Sequence, residues 1–273
     1  MQPIPLKRLL LRFLKVVVLL YLLAGVALYV MQRSILYFPQ PMRAAPDAQD
    51  ISIPTDGMVL HGWVVNPGRP EAIIYFGGNG ERVERDVDLF RAMLPGYSVY
   101  LVPYRGYGPN AGEPTEASLY ADALAEYAFV QAQHAHVSVI GRSLGTGVAT
   151  YVAAQRTVAK LVLVTPYDSV VNIAQGRYPI FPVSWLVKDR YESWRRAGSI
   201  TARTLVVLAD GDQIVPRANS DVLIDHFHAK PTVVIIPHAD HNNLTRSATY
   251  VQAIEAFMGV PAAMSPATPV PQH

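Results

Sequence analysis

A serine framed by glycines is the residue whose neighbours most clearly indicate chemistry. Residues 141–145 read Gly-Arg-Ser-Leu-Gly, after an apolar run at 137–140 and before a helix-like stretch at 147–154. G-x-S-x-G between a strand and a helix is typical of a sharp turn that presents a serine hydroxyl, with glycines where side chains would clash. Ser143 is therefore the predicted nucleophile. A glycine turn without a chemical role is the alternative interpretation.

A serine hydroxyl needs a base to take its proton and a carboxylate to orient that base. His241 lies in a polar loop directly after the strand-like run 232–236, and Asp212 lies directly after the run 204–208. The chain order of serine, aspartate and histidine fits a nucleophile of this kind. We predict His241 as the base and Asp212 as the acid, with Asp210 as the second choice for the acid.

Two backbone N–H groups are expected to bind the negative charge that develops on the substrate oxygen. One belongs to Leu144, directly after the nucleophile. The other is expected in the run Phe-Gly-Gly-Asn-Gly at 76–80, which follows a short buried strand. A phosphate-binding loop is the competing interpretation of this run, but no Lys-Ser/Thr pair follows it.

Metal and cofactor chemistry are not predicted. His238 and His241 stand three residues apart, as two metal ligands would, but a third ligand is not near them in the sequence. The predicted serine, histidine and aspartate with two N–H donors need no cofactor. The chain has no cysteine, which excludes disulfides, thiolate metal sites and a cysteine nucleophile.

Short apolar runs alternate with helix-like segments along most of the chain. Such alternation predicts an α/β fold, a mostly parallel sheet with helices on both faces, whose ligands bind beyond the carboxyl ends of the strands. Ser143, Asp212 and His241 all fall in loops at those ends. The predicted strands are 59–65, 72–76, 97–102, 137–140, 160–164, 204–208 and 232–236, and the predicted helices are 81–94, 114–133, 147–154, 217–227 and 246–258.

An uninterrupted apolar run, 16–31, lies near the N-terminus behind four basic residues. Counted from Phe13 it has about 19 residues, which at 1.5 Å each approaches the ~30 Å hydrocarbon core of a bilayer. We predict that residues 1–33 are a basic cytoplasmic segment and one transmembrane helix, with the rest of the chain on the periplasmic or lumenal side. A cleaved signal peptide and a buried helix of a soluble domain are the alternatives.

The remaining boundaries follow from composition. Residues 34–46 contain three prolines and are predicted as a linker, 47–260 as the α/β domain, and 261–273 as a disordered tail. Within the domain, residues from about 170 to 195 are rich in aromatic residues and are predicted as a small cap. An apolar cap beside a membrane helix favours an acyl-chain substrate, although the aromatic residues could simply pack on the domain. The net charge of +2 leaves no basic stripe for nucleic acid.

Seven motifs in this order resemble the α/β-hydrolase superfamily, and are most similar to its membrane-anchored branch of single-pass serine hydrolases. The resemblance implies that Asn79 supplies the second oxyanion N–H, although the branch usually has His-Gly-Asn where this chain has Gly-Gly-Asn. The motifs are Tyr-Phe-Gly-Gly-Asn-Gly at 75–80, Pro-Tyr-Arg-Gly-Tyr-Gly at 103–108, Gly-Glu-Pro-Thr-Glu at 112–116, Gly-Arg-Ser-Leu-Gly at 141–145, Pro-Tyr-Asp-Ser at 166–169, Asp-Gln-Ile-Val-Pro at 212–216 and Asp-His-Asn-Asn at 240–243.

The resemblance implies an enzyme that cleaves carboxylic esters, thioesters of acylated proteins, or lysophospholipids. The expected activity is hydrolysis of an ester or thioester, of a small molecule or an acyl lipid, through an acyl-enzyme on Ser143. An amidase or aminopeptidase with the same three residues is the alternative enzyme. A membrane scaffold without catalysis, built on a hydrolase fold, is the alternative from another class.

Overall fold

The computed structural model describes residues 6–45 and 47–260, and these residues form an eight-stranded sheet. The order across the sheet is β1-β2-β4-β3-β5-β6-β7-β8, in which the β1–β2 and β2–β4 pairs are antiparallel and the other pairs are parallel. The prediction of a mostly parallel sheet is confirmed. The strands are β1 (Gln49–Thr55), β2 (Met58–Val65), β3 (Glu71–Phe76), β4 (Tyr97–Leu101), β5 (His136–Arg142), β6 (Lys160–Val164), β7 (Arg203–Ala209) and β8 (Thr232–Ile236).

Helices cover both faces of the sheet, as the continuous apolar character of the central strands requires. Residues of α3, α4 and α8 pack in one buried cluster with one set of strand side chains. Residues of α2 and α9 pack in a second cluster with the opposite set. The helices are α1 (Leu6–Leu36), α2 (Val87–Met93), α3 (Glu116–Gln131), α4 (Leu144–Gln155), α5 (Val170–Arg177), α6 (Val183–Leu186), α7 (Trp194–Ala197), α8 (Arg217–His226) and α9 (Ala248–Met258).

Strand β1 was not expected from the sequence. It is an edge strand that pairs only with β2 among the described residues, and most of its side chains are at least partly exposed. It therefore lacks an apolar run, and Pro54 is tolerated because an edge strand does not need every N–H. The turn to β2 passes through Asp56 and Gly57, whose φ of 76° suits a tight hairpin.

Two predicted helices begin later than expected. The segment 81–94 starts with a 3-10 turn, Val83–Asp86, and becomes α-helical only at Val87. The delay has a local cause, because the Glu81 side chain binds the Gly78 N–H and Arg142 instead of starting a helix. Near the C-terminus a 3-10 turn, Leu244–Arg246, precedes α9.

The predicted linker packs on the domain instead of forming a free stalk. Helix α1 continues to Leu36, whose carbonyl accepts a hydrogen bond from Asn79 Nδ2 at 3.0 Å. Tyr37 is buried, and its hydroxyl lies 2.8 Å from that of Tyr191. These tertiary contacts fix the first residues of the predicted linker against the domain. The predicted tail, 261–273, lies outside the described residues.

Helix α1 is the one helix in the described part of the chain that is long and apolar enough to cross a membrane. It has 31 residues, its most apolar stretch has a mean hydropathy of 2.4, and none of that stretch is buried inside the protein. An N-terminal signal sequence can meet the same criteria of length and hydropathy. The helix is therefore compatible with the predicted single-pass anchor.

Candidate active site

Ser143 occupies the turn between β5 and α4. Its φ of 49° and ψ of −118° are rare for a residue with a side chain. Two hydrogen bonds hold this backbone: the Ser143 N–H donates to the Val164 carbonyl at 2.9 Å, and its carbonyl accepts from the Thr146 N–H at 2.9 Å. Strained backbone that is fixed in this way is common where a side chain must be presented for function.

The glycines around Ser143 are required by close packing. A Cβ atom at Gly145 would lie 2.0 Å from the Phe76 carbonyl oxygen, and a Cβ at Gly141 would lie 2.5 Å from the Gly145 carbonyl oxygen. These distances are well below van der Waals contact, so α4 can approach the ends of β3 and β5 only with glycine at both positions. Ser143 is thereby held against the loop that follows β3.

The structure brings Ser143, His241 and Asp212 together. His241 Nε2 lies 2.9 Å from Ser143 Oγ, and His241 Nδ1 lies 2.7 Å from Asp212 Oδ2. The three residues come from loops after β5, β8 and β7, at the carboxyl ends of parallel strands. The side chains of His241 and Asp212 are 7% and 8% exposed, so bulk water competes little with these hydrogen bonds.

Asp212 is fixed and ionised by its surroundings. Its Oδ1 accepts hydrogen bonds from the N–H groups of Ile214 at 2.9 Å and Val215 at 2.8 Å, while Oδ2 faces the imidazole. Burial alone would raise the pKa of this carboxyl, but the hydrogen bonds from His241 and the two N–H groups outweigh burial, and the pKa lies below its ordinary value. The arrangement suits a carboxylate that orients a histidine.

Asp210, the second choice for the acid, holds the histidine loop instead. Its Oδ2 accepts from the His238 N–H at 2.9 Å and its Oδ1 from the Ala239 N–H at 3.1 Å. The hydrogen bond from His238 is also the main reason that the pKa of Asp210 lies below its ordinary value. Asp210 thus joins the loop after β7 to the loop after β8, and Asp212 is the aspartate that reaches the imidazole of His241.

The histidine loop is a compact turn built on Asp240. Its Oδ1 accepts from the N–H groups of Asn242 at 2.8 Å and Asn243 at 2.9 Å, and its own N–H donates to Asn243 Oδ1 at 2.8 Å. Both ring nitrogens of His241 have partners in Ser143 and Asp212. In the part of the chain that the structure describes, no three histidine or acidic side chains are grouped as metal ligands would be.

The predicted oxyanion donors border the nucleophile. Leu144 begins α4, and within the described residues no side chain caps that helix end. The loop after β3 faces Ser143, since a Cβ at Gly78 would lie 3.4 Å from the Ser143 Cβ. The Gly78 N–H itself donates to Glu81 Oε2, and the Asn79 side chain is tied to the Leu36 carbonyl. Because the Gly78 N–H is occupied, Asn79 stays the predicted second donor.

A buried ion pair beside the site was missed by sequence reasoning. Arg142 Nη1 donates to Glu81 Oε2 at 2.9 Å, and Arg142 Nη2 donates to the His241 carbonyl at 3.2 Å. Glu81 also accepts hydrogen bonds from the Tyr75 hydroxyl and the Gly78 N–H. Burial would raise the pKa of Glu81, but Arg142 and these donors outweigh burial and lower it. The pair therefore connects the nucleophile, oxyanion and histidine loops.

Comparison with known proteins identifies the class of protein. No family model matches the chain. It is 34% identical over 267 residues to the uncharacterized protein Rv2307c of Mycobacterium tuberculosis, which covers 90% of this chain and 95% of that protein. It is 24% identical over 169 residues to the alpha/beta hydrolase domain-containing protein aho-3 of Caenorhabditis elegans, which covers 60% of this chain and 50% of that one.

Solved structures agree with the sequence relatives. The esterase Pf2001 of Pyrococcus furiosus superposes with a TM-score of 0.62 and 18% identity, over 78% of this chain and 92% of that one. The fold is thus that of esterase-like hydrolases. The chain belongs to the α/β-hydrolase superfamily, in one family with Rv2307c. The resemblance noted in the sequence is confirmed for the superfamily.

Proposed function

We propose that this protein is a membrane-anchored serine hydrolase that cleaves a carboxylic ester or thioester through an acyl-enzyme on Ser143. The observation that carries the proposal is the hydrogen-bonded series Asp212, His241 and Ser143, with distances of 2.7 and 2.9 Å. This is the arrangement in which a histidine can take the proton of a serine hydroxyl while a carboxylate orients the ring.

The reaction follows from the positions of these groups. Ser143 Oγ attacks the carbonyl carbon of the substrate as His241 Nε2 takes the hydroxyl proton, and Asp212 stabilises the resulting imidazolium. The N–H groups of Leu144 and Asn79 bind the oxygen that becomes negative. The imidazolium then gives its proton to the departing alcohol or thiol, which leaves an acyl group on Ser143.

Water completes the cycle by the same groups. His241 takes a proton from water, whose oxygen attacks the acyl carbon, and a second oxyanion forms in the same place. Its collapse breaks the bond to Ser143 Oγ, which regains the proton from His241, and the carboxylic acid leaves. The protein's own residues provide every proton transfer, so this proposal needs neither a metal nor a cofactor.

The membrane helix suggests where the substrate comes from. A domain anchored by α1 works beside a bilayer, where acyl lipids and acylated proteins are concentrated, and these are the proposed substrates. Basic residues are denser before the apolar run than after it, which favours a cytoplasmic N-terminus and a domain in the periplasm or a lumen. Nucleic acid is not a proposed partner.

A fluorophosphonate probe tests the nucleophile. The full-length protein is expected to be labelled, and Ser143→Ala is expected to lose the label completely. Ser199→Ala is the matched control, because this exposed serine lies in a surface turn and its hydroxyl donates to the Arg196 carbonyl. Labelling that persists in Ser143→Ala would show that another residue is the nucleophile, and an unlabelled wild-type protein would favour the scaffold.

A substrate panel tests the reaction. We expect p-nitrophenyl esters and acyl thioesters to be cleaved faster than aminoacyl p-nitroanilides of matched size, and rates to rise with acyl length. Faster cleavage of the anilides would identify an amidase. Orientation is tested separately with Asp225→Cys, at an exposed position of α8. A membrane-impermeant maleimide should label it in cells whose outer barrier is opened but whose inner membrane is intact.

A further inference from the structure

An apolar stretch of the cap packs along helix α1. This stretch, residues 178–187, is called the cap segment here. The Tyr21 hydroxyl donates to the Ile180 carbonyl at 2.9 Å, and the Tyr21 ring stacks on Phe181 with 4.9 Å between ring centroids. Gly25, one turn further along α1, faces the same ring, because a Cβ there would lie 3.4 Å from Phe181.

The other end of the contact lies near the end of α1. Gln32 Nε2 donates to the Leu186 carbonyl at 3.2 Å, and Gln32 Oε1 accepts from the Lys188 N–H at 2.7 Å. Arg33 Nε lies 2.9 Å from Asp189 Oδ2 in an ion pair. The Arg33–Asp189 ion pair is thus level with the end of α1, and the Lys188 ammonium lies over the Tyr29 ring, 4.3 Å from its centroid. The uncharged cap segment continues back along the helix from there.

The position of these contacts along α1 gives the depth that the cap segment would have in a bilayer spanned by α1. Eight residues separate Gly25 from Arg33 and twelve separate Tyr21 from Arg33, which at 1.5 Å each is ~12 Å and ~18 Å. The hydrocarbon core of a bilayer is ~30 Å thick, so these distances are close to one leaflet. If α1 spans a membrane with Arg33 at its surface, Phe181 lies in the hydrocarbon.

The composition of the cap segment fits that position. It has no charged residue, and a basic residue, Arg177 or Lys188, flanks it on each side. Two large apolar side chains point away from the protein, Ile180 at 70% exposed and Trp185 at 87% exposed. In water such residues would carry a cost, whereas tryptophan beside flanking basic residues is typical of segments that enter a bilayer.

Most carbonyls of the cap segment meet a strict requirement for entering lipid. A polar backbone group in hydrocarbon must find its partner within the protein. Seven consecutive carbonyls, those of residues 178–184, do so. Their donors are, in order, the Phe181 N–H, Gln175 Nε2, the Tyr21 hydroxyl, the Val183 N–H, the Trp185 N–H, the Val187 N–H and Arg190 Nη1.

We propose that the cap segment is embedded in the leaflet nearest the domain, with Ile180 and Trp185 in contact with lipid chains. The proposal rests on the membrane anchoring proposed above for α1. Lipid is the occupant, because the exposed apolar surface of the cap segment is continuous with the apolar surface of α1 that lipid would already cover. The hydrolase would then contact the bilayer through two elements, with part of its cap in the phase that holds acyl chains.

The absence of cysteine from the chain makes a depth measurement direct. Single cysteines replace Ile180 in the cap segment, Val26 on an exposed face of α1, and Asp225 on α8. The full-length variants carry a nitroxide label in vesicles of phosphatidylcholine and phosphatidylglycerol. Accessibility to oxygen, which partitions into lipid, is compared with accessibility to a water-soluble nickel chelate. Unchanged thermal unfolding midpoints show that each variant is folded.

Labels at 180 and 26 are expected to meet oxygen several-fold more readily than nickel, with the reverse at 225. Trp185→Cys should repeat the result at 180. A water-like label at 180 beside a lipid-like label at 26 would overturn the embedded cap segment and leave the anchor intact. Water-like labels at both positions would overturn both. A label at 180 that meets neither reagent would indicate contact with protein, as in a dimer, and would also overturn the proposal.

Discussion

Replacing Asp212 by asparagine should greatly reduce catalysis, because it changes which nitrogen of the His241 imidazole carries the proton. Two backbone N–H groups, from Ile214 and Val215, donate to Asp212 Oδ1. In Asp212→Asn these donors hold the amide oxygen at the Oδ1 position, which directs the amide NH₂ at His241 Nδ1. That nitrogen must then accept a hydrogen bond, so the imidazole proton moves to Nε2 and the ring can no longer take the proton of Ser143.

The size of the effect follows from this tautomer change. In a serine protease with the same three residues this substitution lowers kcat by about 10⁴, which is about 5.4 kcal/mol in the activation barrier. The hydrogen bonds to Asp212 Oδ1 leave the asparagine little freedom to turn over, so we expect the full loss. KM should change little, because Asp212 lies behind the imidazole and would not touch the substrate.

The assay is hydrolysis of a short p-nitrophenyl ester by purified protein, with Asp210→Asn as the matched control. An asparagine at 210 has a single carbonyl oxygen and can keep one of the two hydrogen bonds from the His238 and Ala239 N–H groups. Asp210 does not contact the imidazole of His241, so its loss acts only on the position of the histidine loop. We expect Asp210→Asn to lose less than about tenfold in kcat. A larger loss in Asp210→Asn than in Asp212→Asn would refute the assignment of Asp212 as the acid.

Acid unfolding gives an independent check on Asp212. Its pKa lies below the ordinary value in the folded protein, so the ionised carboxylate stabilises the fold above the pKa of the unfolded chain. That stability is lost as the pH falls through the folded pKa. Asp212→Asn removes the titrating group, and its unfolding free energy should therefore fall less steeply with acid than that of the wild type. Parallel acid profiles for the two proteins would contradict this account.

The remaining predictions concern two buried carboxyl groups and one close backbone contact. Glu81→Gln leaves the Arg142 charge without its counter-ion in a pair that is 10% and 15% exposed, and should cost about 3–5 kcal/mol in urea unfolding. Gly145→Ala forces a Cβ to 2.0 Å from the Phe76 carbonyl, so α4 must move and kcat should fall by at least about 100-fold. Burial raises the pKa of Glu126 well above its ordinary value, so its stabilising neutral form is lost as the pH rises. Wild-type stability should then fall by up to about 1.4 kcal/mol per pH unit above the unfolded pKa of ~4.3, and Glu126→Gln should remove that slope in unfolding measured from pH 5 to 8.

Each of these has a clear contrary result. Unchanged stability in Glu81→Gln would mean that Arg142 finds another partner, and Glu113→Gln, at an exposed glutamate, is the control. A near-normal kcat in Gly145→Ala would mean that the turn between β5 and α4 can accommodate a Cβ atom at position 145. A slope that survives in Glu126→Gln would assign the pH dependence to other groups.

The sequence could predict that Ser143, Asp212 and His241 lie together, because each depends on local pattern and chain order. The glycine spacing around Ser143 marks a turn that can be recognised without the fold. Asp212 and His241 each follow an apolar run, and parallel strands bring the ends of such runs to one edge. Pattern and topology together therefore predict proximity, although the distances of 2.7 and 2.9 Å required the structure.

The Glu81–Arg142 pair could not be predicted from the sequence. The two residues are 61 positions apart, and a glutamate in the charged run 81–86 has no spacing relation to the arginine at 142. Their contact exists because β3 and β5 are neighbours in the sheet, so that the residues just beyond their ends meet. A loop glutamate three positions after the Gly78 N–H that it binds is the only local clue, and it could equally have begun a helix.

The start of the predicted linker is held by contacts that bear on function. Arg33 binds Asp189 Oδ2, and Asp189 Oδ1 accepts from the Glu116 N–H at 3.0 Å, while the Glu116 carboxylate accepts from the N–H groups of Arg190 and Tyr191. The end of α1, the end of the cap and the start of α3 are therefore joined through two buried or half-buried carboxylates. A flexible stalk would let the domain turn freely above a membrane. This junction instead gives α1 and the domain one relative orientation, so an anchored hydrolase would meet the bilayer always with the same side, the side that carries the cap segment.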